Sequence, residues 1–324
     1  MKKSKLGNSR LEITRVGLGT WAIGGPWQFG WGRQDDNDSM KAIVESLDAG
    51  VNWLDTAPIY GCGHSEDIIG KVLKRTGQKP IIATKCGLVW NDKREKISCL
   101  KAKSILAECD ASLKRLGVEI IDLYQMHWNQ PDEDIEEGFE AMARCVKAGK
   151  VRYLGVSNFT VEQMERVMKI HPLTSLQPPY SMFRRDIENE ILPFCGKNNI
   201  GVIVYSPLQK GLLSGKFTPE KIAALPADDV RHIDSNFKPP LLDANIKVIN
   251  RLTDIAKRNH ITVAQLAIGW TLRNKEVTAA IVGARRAGQI GETAPAADVE
   301  LSGDDINEIE ELLKERDRKI KNEK

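Results

Sequence analysis

Gly50-Val51-Asn52-Trp53-Leu54-Asp55 runs from a glycine stop through a short apolar stretch to a carboxylate. The same order recurs further along. Ile81-Ile82-Ala83-Thr84 leads to Lys85, and Ile120-Ile121-Asp122-Leu123-Tyr124-Gln125-Met126 leads to His127. Short apolar runs of this kind suit parallel strands covered on both faces. Others begin at Arg15-Val16-Gly17-Leu18-Gly19, Arg152-Tyr153-Leu154-Gly155-Val156, Ser175, Gly201-Val202-Ile203-Val204-Tyr205 and Val277-Thr278-Ala279-Ala280-Ile281-Val282. Helical patterns fall between them, over 39–47, 104–116, 135–148, 186–197, 242–258 and 263–272. Ser39 and Ser104 suit N-caps, and Gly50, Gly117 and Gly149 suit stops.

Eight strand–helix units in about 300 residues, with no break in composition, predict a single α/β domain over residues 1–324, a (β/α)8 TIM barrel. Residues 4–6 and 11–14, around Gly7-Asn8, predict an N-terminal β-hairpin that caps the barrel floor. From Ser302 onward the chain predicts an added C-terminal helix that starts at a serine cap. The segment 209–241 is a long loop bearing Pro and Gly, and loops of that size in compact domains are usually functional or mobile.

Composition narrows the class. Of the 324 residues, 28% are charged and 41% belong to the apolar set, which fits a globular protein rather than a disordered one. A net charge of +3 gives no argument for nucleic acid or an anionic membrane. The basic run 316–324 reads as a solvated helix end. Lys2 and Lys3 are followed by no apolar stretch, and no run approaches the ~18 apolar residues of a membrane span. The six cysteines are scattered with no CxxC pair. Free thiols in a cytoplasmic protein are the expectation.

Barrel sites lie at the C-terminal ends of the strands. The residues standing there are Trp21, Asp55, Lys85, His127, Ser157-Asn158, Gln177, Tyr205 and Arg285, with Tyr60 just beyond the second strand. A phenol titrates near pH ~10 and is a poor acid at neutrality. A nearby ammonium favours the phenolate, so Lys85 is expected to lower the Tyr60 value, with Asp55 holding Lys85 charged. His127 can then hydrogen-bond a substrate oxygen. The set suits general acid catalysis on a carbonyl with Tyr60 as donor. The hydride must come from a nicotinamide, since side chains carry none.

Each residue also has a plainer reading. Asp55 alone fits a cap or turn, Tyr60 a buried turn aromatic, and His127 a core histidine. Lys85 alone fits a Schiff-base aldolase. Gly17-Leu18-Gly19-Thr20-Trp21-Ala22 fits a lone GxGxxA string, but Gly24-Gly25-Pro26-Trp27 after it cannot open the helix such a fingerprint needs. Gly211-Leu212-Leu213-Ser214-Gly215-Lys216 is one residue short of a P-loop and lacks Ser/Thr after the lysine. No metal-ligand spacing is present, and the chemistry needs none.

Gly50-Val51-Asn52-Trp53-Leu54-Asp55-Thr56-Ala57-Pro58-Ile59-Tyr60-Gly61 resembles the aldo-keto reductase signature. So do Ile82-Ala83-Thr84-Lys85, Ile121-Asp122-Leu123-Tyr124-Gln125-Met126-His127-Trp128, Leu154-Gly155-Val156-Ser157-Asn158-Phe159, Tyr205-Ser206-Pro207-Leu208 and Ile281-Val282-Gly283-Ala284-Arg285. The resemblance spans nearly the whole chain. It is nearest to a bacterial branch with Gly-Ala-Arg after the last strand, which includes inositol-operon and general-stress members.

The resemblance implies NADP(H) lying across the barrel top and a catalytic tetrad of Asp55, Tyr60, Lys85 and His127. It implies cofactor contacts from Gly19, Thr20, Trp21 and Asp55, and from Ser157, Asn158 and Gln177 at the carboxamide. Tyr205 matches the aromatic that stacks on the nicotinamide. Ser206, Pro207, Leu208, Gly211, Ser214 and Lys216 match the pyrophosphate loop, and Gly283, Arg285, Gln289 and Glu292 the adenosine end. A guanidinium grips phosphate bidentately, so Arg285 favours the 2′-phosphate of NADPH. Thr293 departs from the asparagine that many relatives place against adenine.

The substrate is expected to be a small aldehyde, ketone, sugar or polyol. Its pocket would be framed by Trp21, Tyr60, Trp90, His127 and Trp128, with Trp27, Phe29 and Trp31 on an insertion among Gln28, Arg33, Gln34 and Asp35. A cofactor-sensing barrel that regulates a partner with little turnover is the alternative.

Overall fold

The computed structural model describes residues 1–322. Its strands are β1 (Lys3–Lys5), β2 (Glu12–Thr14), β3 (Val16–Gly19), β4 (Trp53–Asp55), β5 (Ile81–Cys86), β6 (Leu88–Trp90), β7 (Lys96–Ser98), β8 (Ile121–Met126), β9 (Val151–Ser157), β10 (Ser175–Gln177), β11 (Gly201–Tyr205) and β12 (Val277–Gly283). The helices are α1 (Asp36–Asp48), α2 (His64–Thr76), α3 (Ala102–Leu116), α4 (Ile135–Lys147), α5 (Val161–Met168), α6 (Ile191–Lys197), α7 (Pro219–Ala223), α8 (Leu241–Arg258), α9 (Val263–Leu272), α10 (Gln289–Thr293) and α11 (Gly303–Asn322).

Strands β10-β11-β12-β3-β4-β5-β8-β9 close into a barrel whose neighbours are all parallel. This is the expected (β/α)8 fold. The register places Gly19 beside Asp55, Lys85 beside Gln125, Gln125 beside Gly155, and Ser157 beside Gln177. One ring of residues near the strand ends therefore meets inside the barrel mouth.

The lower interior is filled by apolar side chains. Trp53, Leu123, Ile203 and Ala279 cluster there with Leu6, Leu11 and Ile13 from the β1–β2 hairpin, which closes the floor as expected. Trp53 donates its indole N–H to the Thr14 carbonyl at 2.9 Å. Its ring takes the space in front of Gly17, where an added Cβ would stand 2.0 Å from Trp53 Cε2. A large residue on one strand requires a small one on the next.

Several local expectations need correction. The cap of α1 is Asp35, whose Oδ1 accepts from Asp38 N at 3.0 Å, and Ser39 lies inside the first turn with its hydroxyl bonded back to the Asp35 carbonyl. A carboxylate at that end meets both the free N–H groups and the positive helix end, so it outcompetes the hydroxyl. Helix α3 starts at Ala102, after Lys101 and before Ser104, and has no side-chain cap. Residues 186–190 form turns, so only Ile191–Lys197 of that stretch is helical.

The basic end is not all solvated. Arg316 is buried, with Nε donating to Asn245 Oδ1 at 2.7 Å and its guanidinium 4.4 Å from the centre of the Phe183 ring. Residues 323 and 324 of that run lie outside the described residues. Ser302 does cap α11, accepting from Asp305 N at 3.1 Å. The β6–β7 hairpin was not anticipated. No helix among the described residues is long and apolar enough to cross a membrane. None of the six cysteines is disulfide-bonded.

Candidate active site

The strand ends deliver Asp55 from β4, Lys85 from β5 and His127 just after β8, and the turn following β4 delivers Tyr60. Lys85 is fully buried. Its Nζ donates to Asp55 Oδ1 at 2.6 Å, to the Thr56 carbonyl at 2.9 Å and to Tyr60 Oη at 3.2 Å. Three partners use all three ammonium donors. The His127 ring stands edge-on to Tyr60 with centroids 5.8 Å apart. All four residues of the expected tetrad therefore meet.

Gly61 is the turn residue that brings Tyr60 inward. It adopts φ +67°, and a Cβ there would sit 2.0 Å from the Gly24 carbonyl oxygen. Only glycine fits both the left-handed backbone and the close approach.

The electrostatics differ from the expectation in one respect. Burial pushes the Tyr60 phenol well above its ordinary value, and the Asp55 carboxylate adds to the rise. Lys85 was expected to lower it. The ammonium is itself depressed by burial and neutralised by Asp55 at 2.6 Å, so its field at Tyr60 is largely cancelled. Burial, then Lys85 and Lys96, hold His127 well below the usual imidazole value, so the ring is neutral. Burial also raises the thiols of Cys62 and Cys86, which keeps both poor nucleophiles.

A second layer fixes the first. Gln177 Nε2 donates to Asp55 Oδ2 at 2.8 Å and to Gln125 Oε1 at 3.2 Å, and Gln125 Nε2 donates to the same Asp55 oxygen at 3.3 Å. Gln125 carries no local signal in the sequence, and its place beside Lys85 emerges only from the β5–β8 register. Ser157 Oγ donates to the Gln177 carbonyl at 2.7 Å. Asn158, at φ +64°, donates to the His127 carbonyl at 3.1 Å and accepts from Tyr205 Oη at 2.9 Å. Thr20 Oγ1 donates to the Asp55 carbonyl at 3.0 Å, and a Cβ on Gly19 would meet Ile281 at 2.6 Å.

The remaining expected cofactor residues form a rim beside the barrel mouth. Pro207 is buried and Leu208 half-buried, between Ser206 and Gln209, both at positive φ. Gly211 follows at φ +92°. Ser214 Oγ accepts from Lys216 N at 3.3 Å, and Lys216 pairs with Glu292 at 2.6 Å. Gly283 is exposed and Thr293 is buried, its hydroxyl donating to the Gln289 carbonyl at 3.1 Å. Gln289 Oε1 accepts from Arg285 N at 2.7 Å.

Aromatic rings border Tyr60. Trp27 lies 6.5 Å from Tyr60, centroid to centroid, and stacks edge-on with Phe29. Trp90, on β6, joins Trp27 and Tyr60 on the apolar cluster of Ala57, Ile59 and Leu88. Trp21 packs edge-on against Trp31 at 5.2 Å and donates its indole N–H to the Phe29 carbonyl. The Nε1 atoms of Trp27 and Trp31 are buried without a hydrogen-bond partner among the described residues. Trp128 is 42% exposed and shares no ring–ring contact among the described residues.

Comparison with known proteins agrees with this arrangement. A model described as the Aldo/keto reductase family matches residues 15–314. The chain is 38% identical over 316 residues to aldo-keto reductase YhdN of Bacillus subtilis (strain 168), covering 97% of this chain and 94% of the relative. It is 33% identical over 337 residues to an NADH-specific methylglyoxal reductase of Escherichia coli (strain K12), covering 98% and 100%. Among solved structures, the glycerol dehydrogenase AKR11B4 of Gluconobacter oxydans superposes with a TM-score of 0.89 at 35% identity, covering 97% of this chain and 96% of that one.

Proposed function

Because this chain belongs to the aldo/keto reductase family, an oxidoreductase family that acts on carbonyl groups, we propose that it reduces a small aldehyde or ketone to the alcohol with NADPH, and that Tyr60 gives the proton. The observation that carries this reading is Lys85 Nζ held between Asp55 Oδ1 at 2.6 Å and Tyr60 Oη at 3.2 Å. We read residues 1–324 as one unit serving that site.

The raised Tyr60 value suits a proton donor. A phenol pushed upward by burial stays protonated across the working range, so its proton is always in place. The alkoxide that develops on substrate is more basic than a phenolate, so the transfer still runs downhill. As negative charge passes to Tyr60 Oη, the N–H that Lys85 already directs at it from 3.2 Å holds that charge through a direct hydrogen bond, although the net field of the Lys85–Asp55 pair is small. His127, kept neutral, presents an N–H to the substrate oxygen with no net charge to desolvate. A nicotinamide held at the barrel mouth would supply the hydride that the carbonyl carbon needs. Hydride plus the Tyr60 proton complete the alcohol.

The residues that would hold the cofactor suit it. The two side-chain partners of Arg285 are neutral oxygens, so its charge calls for an anion, and a 2′-phosphate would meet it. A pyrophosphate would meet Lys216 in exchange for its present partner Glu292, and the half-buried Tyr205 ring is fixed by its hydrogen bond to Asn158. A Schiff-base role for Lys85 has its three engaged donors against it. For the substrate, flat rings with polar neighbours favour small oxygen-bearing carbonyls. The names of two similar proteins carry methylglyoxal, a carbonyl of that class, and glycerol, a polyol at the alcohol level of such carbonyls.

The test is a panel of small aldehydes, ketoses and hydroxyketones with NADPH and with NADH, followed by loss of reduced-cofactor absorbance. Turnover of at least one class with a preference for NADPH is expected. No turnover on any carbonyl with either cofactor would remove the proposal.

A further inference from the structure

Arg285 follows β12 and is held by residues from the far end of the chain. Its Nε donates to Gln34 Oε1 at 2.8 Å, and its Nη2 donates to the Arg33 carbonyl at 2.8 Å. Gln34 returns the contact, its Nε2 donating to the Arg285 main-chain carbonyl at 2.6 Å and to Ser39 Oγ at 3.0 Å. The two residues are 251 positions apart in sequence and bracket each other through both main chain and side chain.

The bracket leaves a specific part of the guanidinium open. Five N–H donors lie in one plane as a fork. Gln34 and Arg33 take Nε and one donor of Nη2, which lie along one edge. Nη1 and the outer donor of Nη2 form the other edge, and no hydrogen bond among the described residues uses it. That edge has the geometry that grips two oxygens of a phosphate. Burial, then Arg231 and to a smaller degree Arg286, disfavour the charge on Arg285, while the Asp229 carboxylate offsets only part of this, so an anion at the open edge would act against the net push.

We propose that Gln34 is a positioning residue for Arg285, one that aims the open guanidinium edge at the 2′-phosphate and so sets the preference for NADPH over NADH. This rests on the NADPH reading above. An arginine side chain with its rotamers unrestrained loses entropy when it grips a ligand. Gln34 removes that cost in advance, and only for a ligand that carries the phosphate.

Titration by quenching of intrinsic tryptophan fluorescence tests this without turnover. The probes are 2′,5′-ADP, 5′-AMP, NADPH and NADH. The wild type is expected to favour 2′,5′-ADP over 5′-AMP and NADPH over NADH. Gln34→Leu should cut both preferences about tenfold, through the phosphate-bearing ligands alone. Affinities for 5′-AMP and NADH should stay within about twofold, which also reports an intact fold. Gln34→Glu should cut the preferences further, because its carboxylate pairs with Arg285 and repels the phosphate. Preferences that survive Gln34→Leu, or an equal loss for all four ligands, would overturn the role of Gln34. A wild type that binds all pairs alike would remove the NADPH reading, and this inference with it, before any variant is made.

Discussion

Gln177 Nε2 lies 2.8 Å from Asp55 Oδ2, although 122 residues separate them. The contact occupies the carboxylate oxygen that does not face Lys85, so the other oxygen is left aimed at the ammonium at 2.6 Å. Asp55 is thus the counter-ion of a fully buried lysine and is itself held in place. Asp55→Asn keeps the shape but strands the charge. Removing one partner of a buried pair costs about 3–5 kcal/mol. Chemical denaturation should show a loss of that order, and an unchanged midpoint would mean that Lys85 is not charged in the native state.

Tyr60→Phe removes the hydroxyl 3.2 Å from Lys85 Nζ and leaves the ring among Trp27, Trp90 and Ile59. Turnover should fall by about 10² to 10⁴, the usual range for a general acid. Cofactor affinity, read by fluorescence, should hardly change. A variant that still turns over at the wild-type rate would place the acid elsewhere.

Glu108 gives a pH signature outside the site. It is buried beside β5, with Oε2 accepting from Gly87 N at 2.9 Å and Oε1 from Ser104 Oγ at 2.9 Å. Burial raises its carboxyl to about 7. The folded protein then binds a proton that the unfolded chain, near 4.5, has already lost. Stability from this group is complete below about pH 4.5 and declines as pH rises through about 7. Glu108→Gln mimics the protonated form. It should match the wild type at pH 5 and exceed it at pH 8, by on the order of 1–3 kcal/mol. Equal melting differences at the two pH values would refute this.

Gly17→Ala tests the packing of the barrel floor. The new methyl would stand 2.0 Å from the Trp53 ring, which is fully buried and tied to Thr14. Overpacking of this kind costs about 3 kcal/mol or more. Adding Trp53→Leu should recover part of the loss, since it clears the space. If the double variant were less stable than the sum of the single ones, the clash would not be the cause.

Much of the fold was legible because strand runs and their polar ends are local features. Asp55, Lys85 and His127 each follow an apolar run that stops at them, and eight such runs allow few topologies. The floor hairpin and the Ser302 cap were legible for the same reason. Helix starts were less so. Asp35 and Ser39 both suit a cap, and the choice depends on where the chain enters the helix. The β6–β7 hairpin, which carries Trp90, lies in a stretch too polar for an apolar-run reading to find.

By itself, the order of residues determined the barrel, the rim where chemistry would gather and the four side chains at its centre, since period and strand termination are properties of neighbours in sequence. Tertiary structure alone decided which way Tyr60 and Lys85 titrate, that Arg316 is buried, and that Gln34 grips Arg285 across 251 positions. The physical reason is that desolvation and long-range hydrogen bonds depend on what the chain brings near a group from elsewhere. Barrel closure sets that neighbourhood, and no local stretch contains it.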